Sequence, residues 1–234
     1  MLILKAFSLA TCVNTLLMKQ PDRISRTGFV IYMVILGIGM PLMSFDHGTT
    51  WDELYSHTYG QHLLDFYGSL GEDDKALSYG NLYLYGGLFE IAAEGAVAIV
   101  NPLFEGNYTY EIRHIVNCLV GVLAILFTGL LARQLGGWPC AVTALLLISL
   151  APRFLGHSMN NPKDIPFAAF YAMALYFMVK VINAFPRPSK CDTGWLIIAI
   201  ACAINVRAGG LLLICYFGLF LGLIVANRYY RDWG

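Results

Sequence analysis

Long apolar runs with brief polar punctuation set the pattern of this chain. Gly28–Phe45 carries no charged side chain, and at 1.5 Å per residue such a helix is about 27 Å long, enough to cross the hydrocarbon of a bilayer. Runs of the same kind follow at Ile112–Leu131, Ala141–Leu150, Phe167–Ile182 and Trp195–Ala226. The last would measure about 48 Å as one helix, too long for one crossing. It therefore predicts two short spans meeting at Arg207, Ala208, Gly209 and Gly210. The pattern predicts an all-α polytopic membrane protein of about six transmembrane helices, with residues 1–234 forming a single membrane domain. Residues 1–18 are apolar apart from Lys5 and Asn14 and are compatible with a short span, an interfacial helix or a signal-like segment.

Two polar stretches separate these runs. Residues 46–111 form a first long loop, and loops of that length in compact proteins usually carry function. Within it Trp51, Leu54, Tyr55, Tyr59, Leu63, Leu64 and Tyr67 recur at helical spacing, predicting an amphipathic helix on the membrane surface. Asn81–Val100 is nearly long enough to span, but Glu90 and Glu94 stand one turn apart on one face and favour an interfacial helix. Residues 151–166 form the second loop, and Gly136, Gly137 and Pro139 mark a tight turn on the opposite side.

Composition agrees with the pattern. The chain is 58% hydrophobic and 13% charged, against about 25% charged in soluble domains, and its mean hydropathy is +0.62. A formal net charge of zero leaves no basic field for nucleic acid. Lys19, Arg23 and Arg26 precede the first span and place its N-terminal side in the cytoplasm. Nine basic residues then fall inside, against Lys75, Arg113, Arg153, Lys163 and Arg207 outside. Both loops and all five histidines face outward, predicting an integral protein of a plasma, inner or endoplasmic reticulum membrane with its chemistry on the outer or lumenal face. The six cysteines form no CxxC pair and read as packing residues. Asn107, Tyr108 and Thr109 form a glycosylation sequon.

Candidate chemistry concentrates at the outer ends of the spans. Asp52 and Glu53 point about 100° apart on a helix, so one can act while the other supports it. A carboxylate walled by Trp51 and Tyr55 suits a general base, although a solvated loop acid explains it too. Asp164, in NPKDIPF, stands where a helix N-cap is expected, with Pro166 two residues on, and capping is compatible with a site role. Arg153, Lys163 and Arg207 share the predicted outer surface, where cations suit a phosphate group; each could instead snorkel from a helix end. His57 and His62 are five residues apart, off the register that places two ligands on one helical face. No cofactor is predicted, and a divalent metal finds no support.

The order of several segments carries a resemblance. An acidic pair (Asp52, Glu53) after the first span is followed by an aromatic surface helix, YLYGGLFE, then Glu111, Arg113 and His114 at the second span, then PRFLGHSMNNPKDIPF and NVRAGGLLL. Over residues 28–226 the chain resembles the N-terminal half of a GT-C superfamily glycosyltransferase, in the branch of protein O-mannosyltransferases and lipid A aminoarabinose transferases. The resemblance implies inverting transfer of a sugar from a polyprenyl-phosphate carrier to a glycan, lipid or protein acceptor on the outer face. It makes Asp52 the catalytic carboxylate with Glu53 beside it, and puts Asp164 in the same cavity. Arg207 is the residue expected to hold the lipid phosphate, with Lys163, Arg153 and Arg113 as further candidate cations. Such enzymes have many more spans, so a C-terminal half or a partner chain is expected to complete this one. A transporter or flippase subunit for a lipid-linked intermediate, or a non-catalytic assembly subunit, are the rival readings.

Overall fold

A computed structural model describes residues 19–232; the segment 1–18 lies outside the described residues. The chain folds as α1 (Lys19–Phe45), α2 (Trp51–Gly68), α3 (Leu88–Val100), α4 (Thr109–Ser149), α5 (Pro152–Asn160), α6 (Asp164–Asn183), α7 (Lys190–Ile204) and α8 (Leu211–Asp232). No strand occurs among the described residues. Four stretches, Asp22–Phe45, Thr109–Ser149, Asp164–Asn183 and Ala208–Tyr229, are helices long and apolar enough to cross a membrane. The protein is an all-α integral membrane protein.

The 41 residues of α4 are two arms rather than one rod. Gly136 and Gly137 leave helical geometry, and Gly137 adopts φ 76°, which a side chain would resist. A Cβ on Gly129 would lie 3.5 Å from the Ala141 carbonyl oxygen, whereas a straight helix would separate those residues by about 18 Å. The arms therefore fold back on each other, as the glycine pair and Pro139 predict. α1 packs along this hairpin, with Phe29 and Met40 buried among Cys118, Ile125, Ala141 and Leu145. The second core joins α6, α7 and α8 through Met173, Phe177, Leu196, Ala199, Ala203 and Leu213. Lipid tails are as apolar as these side chains, so close packing rather than hydrophobic transfer holds the helices together, and the alanines allow the approach.

α7 has 15 residues, about 22 Å of helix and shorter than a bilayer core. It turns into α8 at Ala208–Gly210, where the sequence predicts a hairpin. A Cβ on Gly210 would come within 2.5 Å of the Ile204 amide nitrogen, so the turn requires glycine there.

The first loop buries acids as well as apolar side chains. α2 forms where the spacing predicts, yet its buried side is Glu53, Ser56, Tyr59, Gly60 and Leu63, while Trp51, Leu54, Tyr55 and Tyr67 are exposed. α3 has 13 residues, and its two glutamates are buried. The reason lies on α4, where Arg113 takes both glutamates of α3 and His114 takes Glu53 of α2, as described below.

Candidate functional site

Local capping decides which acid of the Asp52-Glu53 pair faces outward. Thr50 donates to Glu53 Oε1 through its amide (3.1 Å) and its hydroxyl (2.8 Å), closing the first turn of α2. The other oxygen, Glu53 Oε2, lies 2.7 Å from His114 Nε2, and both side chains are buried. Glu53 is thus committed to holding α2 on α4. Asp52 is left exposed, on the wall of a cleft of about 170 Å³ shared with Thr50, His157, Asn160, Asn161, Pro162 and Lys163.

Across that cleft, α6 begins at Asp164, but the capping oxygen comes from Asn161. Its Oδ1 accepts the amide protons of Lys163 (3.1 Å) and Asp164 (2.8 Å). This corrects the expectation that Asp164 caps the helix, and it frees the Asp164 carboxylate. Asp164 Oδ2 accepts from Asn161 Nδ2 at 3.0 Å, and Oδ1 pairs with Arg207 Nη2 at 2.8 Å. Arg207 and Lys163 also flank one ring: Arg207 Cζ and Lys163 Nζ lie 5.7 and 5.4 Å from the Tyr85 centroid. An aromatic face attracts cations, so Tyr85 helps gather both charges in one place.

Tyr85 is held there by a backbone contact. A Cβ on Gly86 would overlap the Asn205 carbonyl, and the Leu88 amide donates to that oxygen at 3.4 Å. The first loop, the second loop and the α7–α8 turn therefore converge at the same end of the helices.

The remaining candidates are placed elsewhere. Arg113 is buried, and its guanidinium is taken by Glu90 and Glu94. Serving a phosphate as well would strand two buried carboxylates. Burial pushes the Glu90 carboxyl above its ordinary range; Arg113 opposes the shift, and Glu94 adds to it. His57 Nδ1 lies 2.8 Å from Glu94 Oε1, so two of the histidines, His57 and His114, are tied to glutamates. Arg153 is exposed on α5. Among the described residues no group of three or more His, Cys, Asp or Glu side chains is placed to hold a metal ion.

Residues 96–233 match the family described as dolichyl-phosphate-mannose-protein mannosyltransferase. The chain belongs to that family. Members of this mannosyltransferase family are membrane-embedded glycosyltransferases that use a lipid-linked sugar donor and an acceptor. No curated protein and no solved structure matches the chain. The part shared with the family includes Arg153, Lys163, Asp164 and Arg207, while Asp52 precedes it.

Tyr85, Asn160 and Asn161 join the site without having been singled out from the sequence. Asn161 had a readable signal, since an asparagine just before an apolar helix is a preferred cap. Tyr85 had only its place beside Gly86 and Gly87.

Proposed function

We propose that this mannosyltransferase-family protein transfers a sugar from a polyprenyl-phosphate-linked donor to an acceptor hydroxyl at the outer face of the membrane, with inversion at the anomeric carbon. The observation that carries this reading is the placement of an exposed carboxylate, Asp52, across one cleft from Lys163, with the Asp164–Arg207 pair adjoining. The outward sidedness rests on the charge bias of the loops.

In this reading Asp52 takes the proton of the acceptor hydroxyl as its oxygen bonds to the anomeric carbon. The bond from that carbon to the phosphate oxygen breaks on the opposite side, and polyprenyl phosphate leaves with the electron pair. Arg207 and Lys163 neutralise the charge that grows on the phosphate, at the moment when it matters to the barrier. Asp164 aims Arg207 through their 2.8 Å pair, and Tyr85 keeps Lys163 beside it. Glu53 serves by orientation: its bonds to Thr50 and His114 fix the turn that presents Asp52.

The family description makes polyprenyl-phosphate mannose the first donor to test. The full chain, reconstituted in vesicles with radiolabelled donor, is expected to move label to an acceptor fraction. Sidedness is tested by labelling a Lys75→Cys variant in intact cells with an impermeant thiol reagent. Protection of that cysteine until the cells are opened would overturn the outer placement.

A further inference from the structure

We infer that the aromatic cleft beside Asp52 is the acceptor subsite and that it takes an uncharged carbohydrate. The cleft holds about 400 Å³ and is lined by Thr49, Thr50, Trp51, Leu54, Tyr55 and Tyr110. That volume lies in the range of small-ligand sites.

Its position follows from helical geometry. At about 100° per residue, Trp51, Leu54 and Tyr55 share one face of α2, Asp52 borders that face, and Glu53 points away from it. Thr50 lines both this cleft and the one that Asp52 shares with Lys163. Asp52 therefore stands between an aromatic cleft and a cationic one. Inverting displacement needs the attacking hydroxyl and the leaving phosphate on opposite sides of the anomeric carbon, and two clefts flanking one base supply both sides. The proton passes from the acceptor hydroxyl to Asp52 and the electron pair of the broken bond stays with the phosphate.

The lining selects the ligand class. None of the six side chains is ionised at neutral pH, so nothing there favours a charged acceptor. The Trp51 and Tyr55 rings lie 6.4 Å apart at 45°, and the C–H face of a pyranose stacks on such rings while its hydroxyls reach the threonines. A peptide acceptor would look for a free strand edge or a continuous apolar groove; α2 offers neither, and its threonines and tyrosine interrupt the apolar surface. Trp51 is 82% exposed, which leaves its ring open to a ligand.

This assignment rests on the transfer reading for its place in catalysis, but sugar binding can be measured without transfer. Purified full-length protein in detergent is titrated with neutral mannotriose by calorimetry and tryptophan fluorescence, with a serine- and threonine-rich peptide as comparator. Saturable sugar binding is expected, weakened about tenfold or more by Trp51→Ala and by Tyr110→Ala. The exposure of Trp51 makes its variant a fair test of binding rather than of folding. Absence of sugar binding, binding indifferent to both substitutions, or peptide binding that Trp51→Ala abolishes would each overturn the subsite. So would loss of Trp51 emission to brominated lipid in nanodiscs, which would place the cleft in the bilayer. Sugar binding without any transfer leaves the subsite standing and removes the transfer reading; transfer to a glycan undiminished in Trp51→Ala does the reverse.

Discussion

Arg207 Nη2 lies 2.8 Å from Asp164 Oδ1, and neither partner is buried. An ion pair so open to its surroundings adds only about 0 to 1 kcal/mol to stability. Its consequence is orientation: it joins the α7–α8 turn to the start of α6, beside the Lys163 that lines the cleft of Asp52.

Arg207→Ala is therefore expected to leave the unfolding temperature in detergent nearly unchanged while lowering kcat/KM for the lipid-linked donor about 10²-fold or more. Arg207→Lys keeps the charge but loses the planar fork, and should fall between. Steady-state kinetics beside thermal unfolding separates these effects. A large drop in stability with little change in kinetics would assign the pair to structure.

Gly86 and Asn205 make the tightest crossing between the first loop and the α7–α8 turn. Gly86→Ala forces those backbones apart, at a cost on the order of 1–3 kcal/mol for overpacking. Because Tyr85 moves with Gly86, donor affinity should fall with stability. Thermal unfolding and donor KM of the variant check both; a variant as stable as the wild type would contradict the crossing.

Asn161→Ala removes the cap of α6 and should cost about 1 kcal/mol. It also deletes the 3.0 Å bond that steadies Asp164. Asn161→Asp restores the capping acceptor but sets a second carboxylate against Asp164, so stability should recover only in part while kcat/KM stays reduced. Recovery of both together would show that the bond to Asp164 is dispensable.

The sequence made the membrane class, the breaks at Gly136–Gly137 and Arg207–Gly210, and the two polar loops legible, because apolar run length and glycine punctuation are local signals. The faces of the loop helices were not legible. Spacing puts Trp51, Leu54, Tyr55 and Tyr59 on a common stripe, but α2 packs with Glu53 and Ser56 inward. What buries these acids is α4, through His114, 61 residues from Glu53, and Arg113, 19 residues from Glu94 and 23 from Glu90, and no window on the sequence joins such partners at that distance. The same holds for Tyr85, whose role appears only once Asn205 is beside Gly86. Asp52, Asp164, Lys163 and Arg207 were nameable from order along the chain; their convergence is a tertiary fact.

Glu90 gives the fold a pH dependence with a defined sign. Burial, first, raises its carboxyl above the 4.5 of a free glutamate, so the folded state binds the proton more tightly than the unfolded state does. Its contribution is fully present below 4.5 and is lost as pH rises through the raised value. Glu90→Gln removes that titration. The unfolding temperature of the wild type minus that of the variant should fall as pH rises from 4 through neutrality, and a difference flat across that range would contradict the shift.

Asp52→Asn tests the central claim most directly. Asp52 is exposed and no hydrogen bond or ion pair ties it into the fold among the described residues, so the variant should insert and unfold like the wild type. Transfer of radiolabelled sugar from polyprenyl-phosphate mannose in reconstituted vesicles should drop about 10²- to 10⁴-fold, the range for loss of a positioned general base. Undiminished transfer by a correctly inserted Asp52→Asn protein would contradict the assignment of that carboxylate as the base.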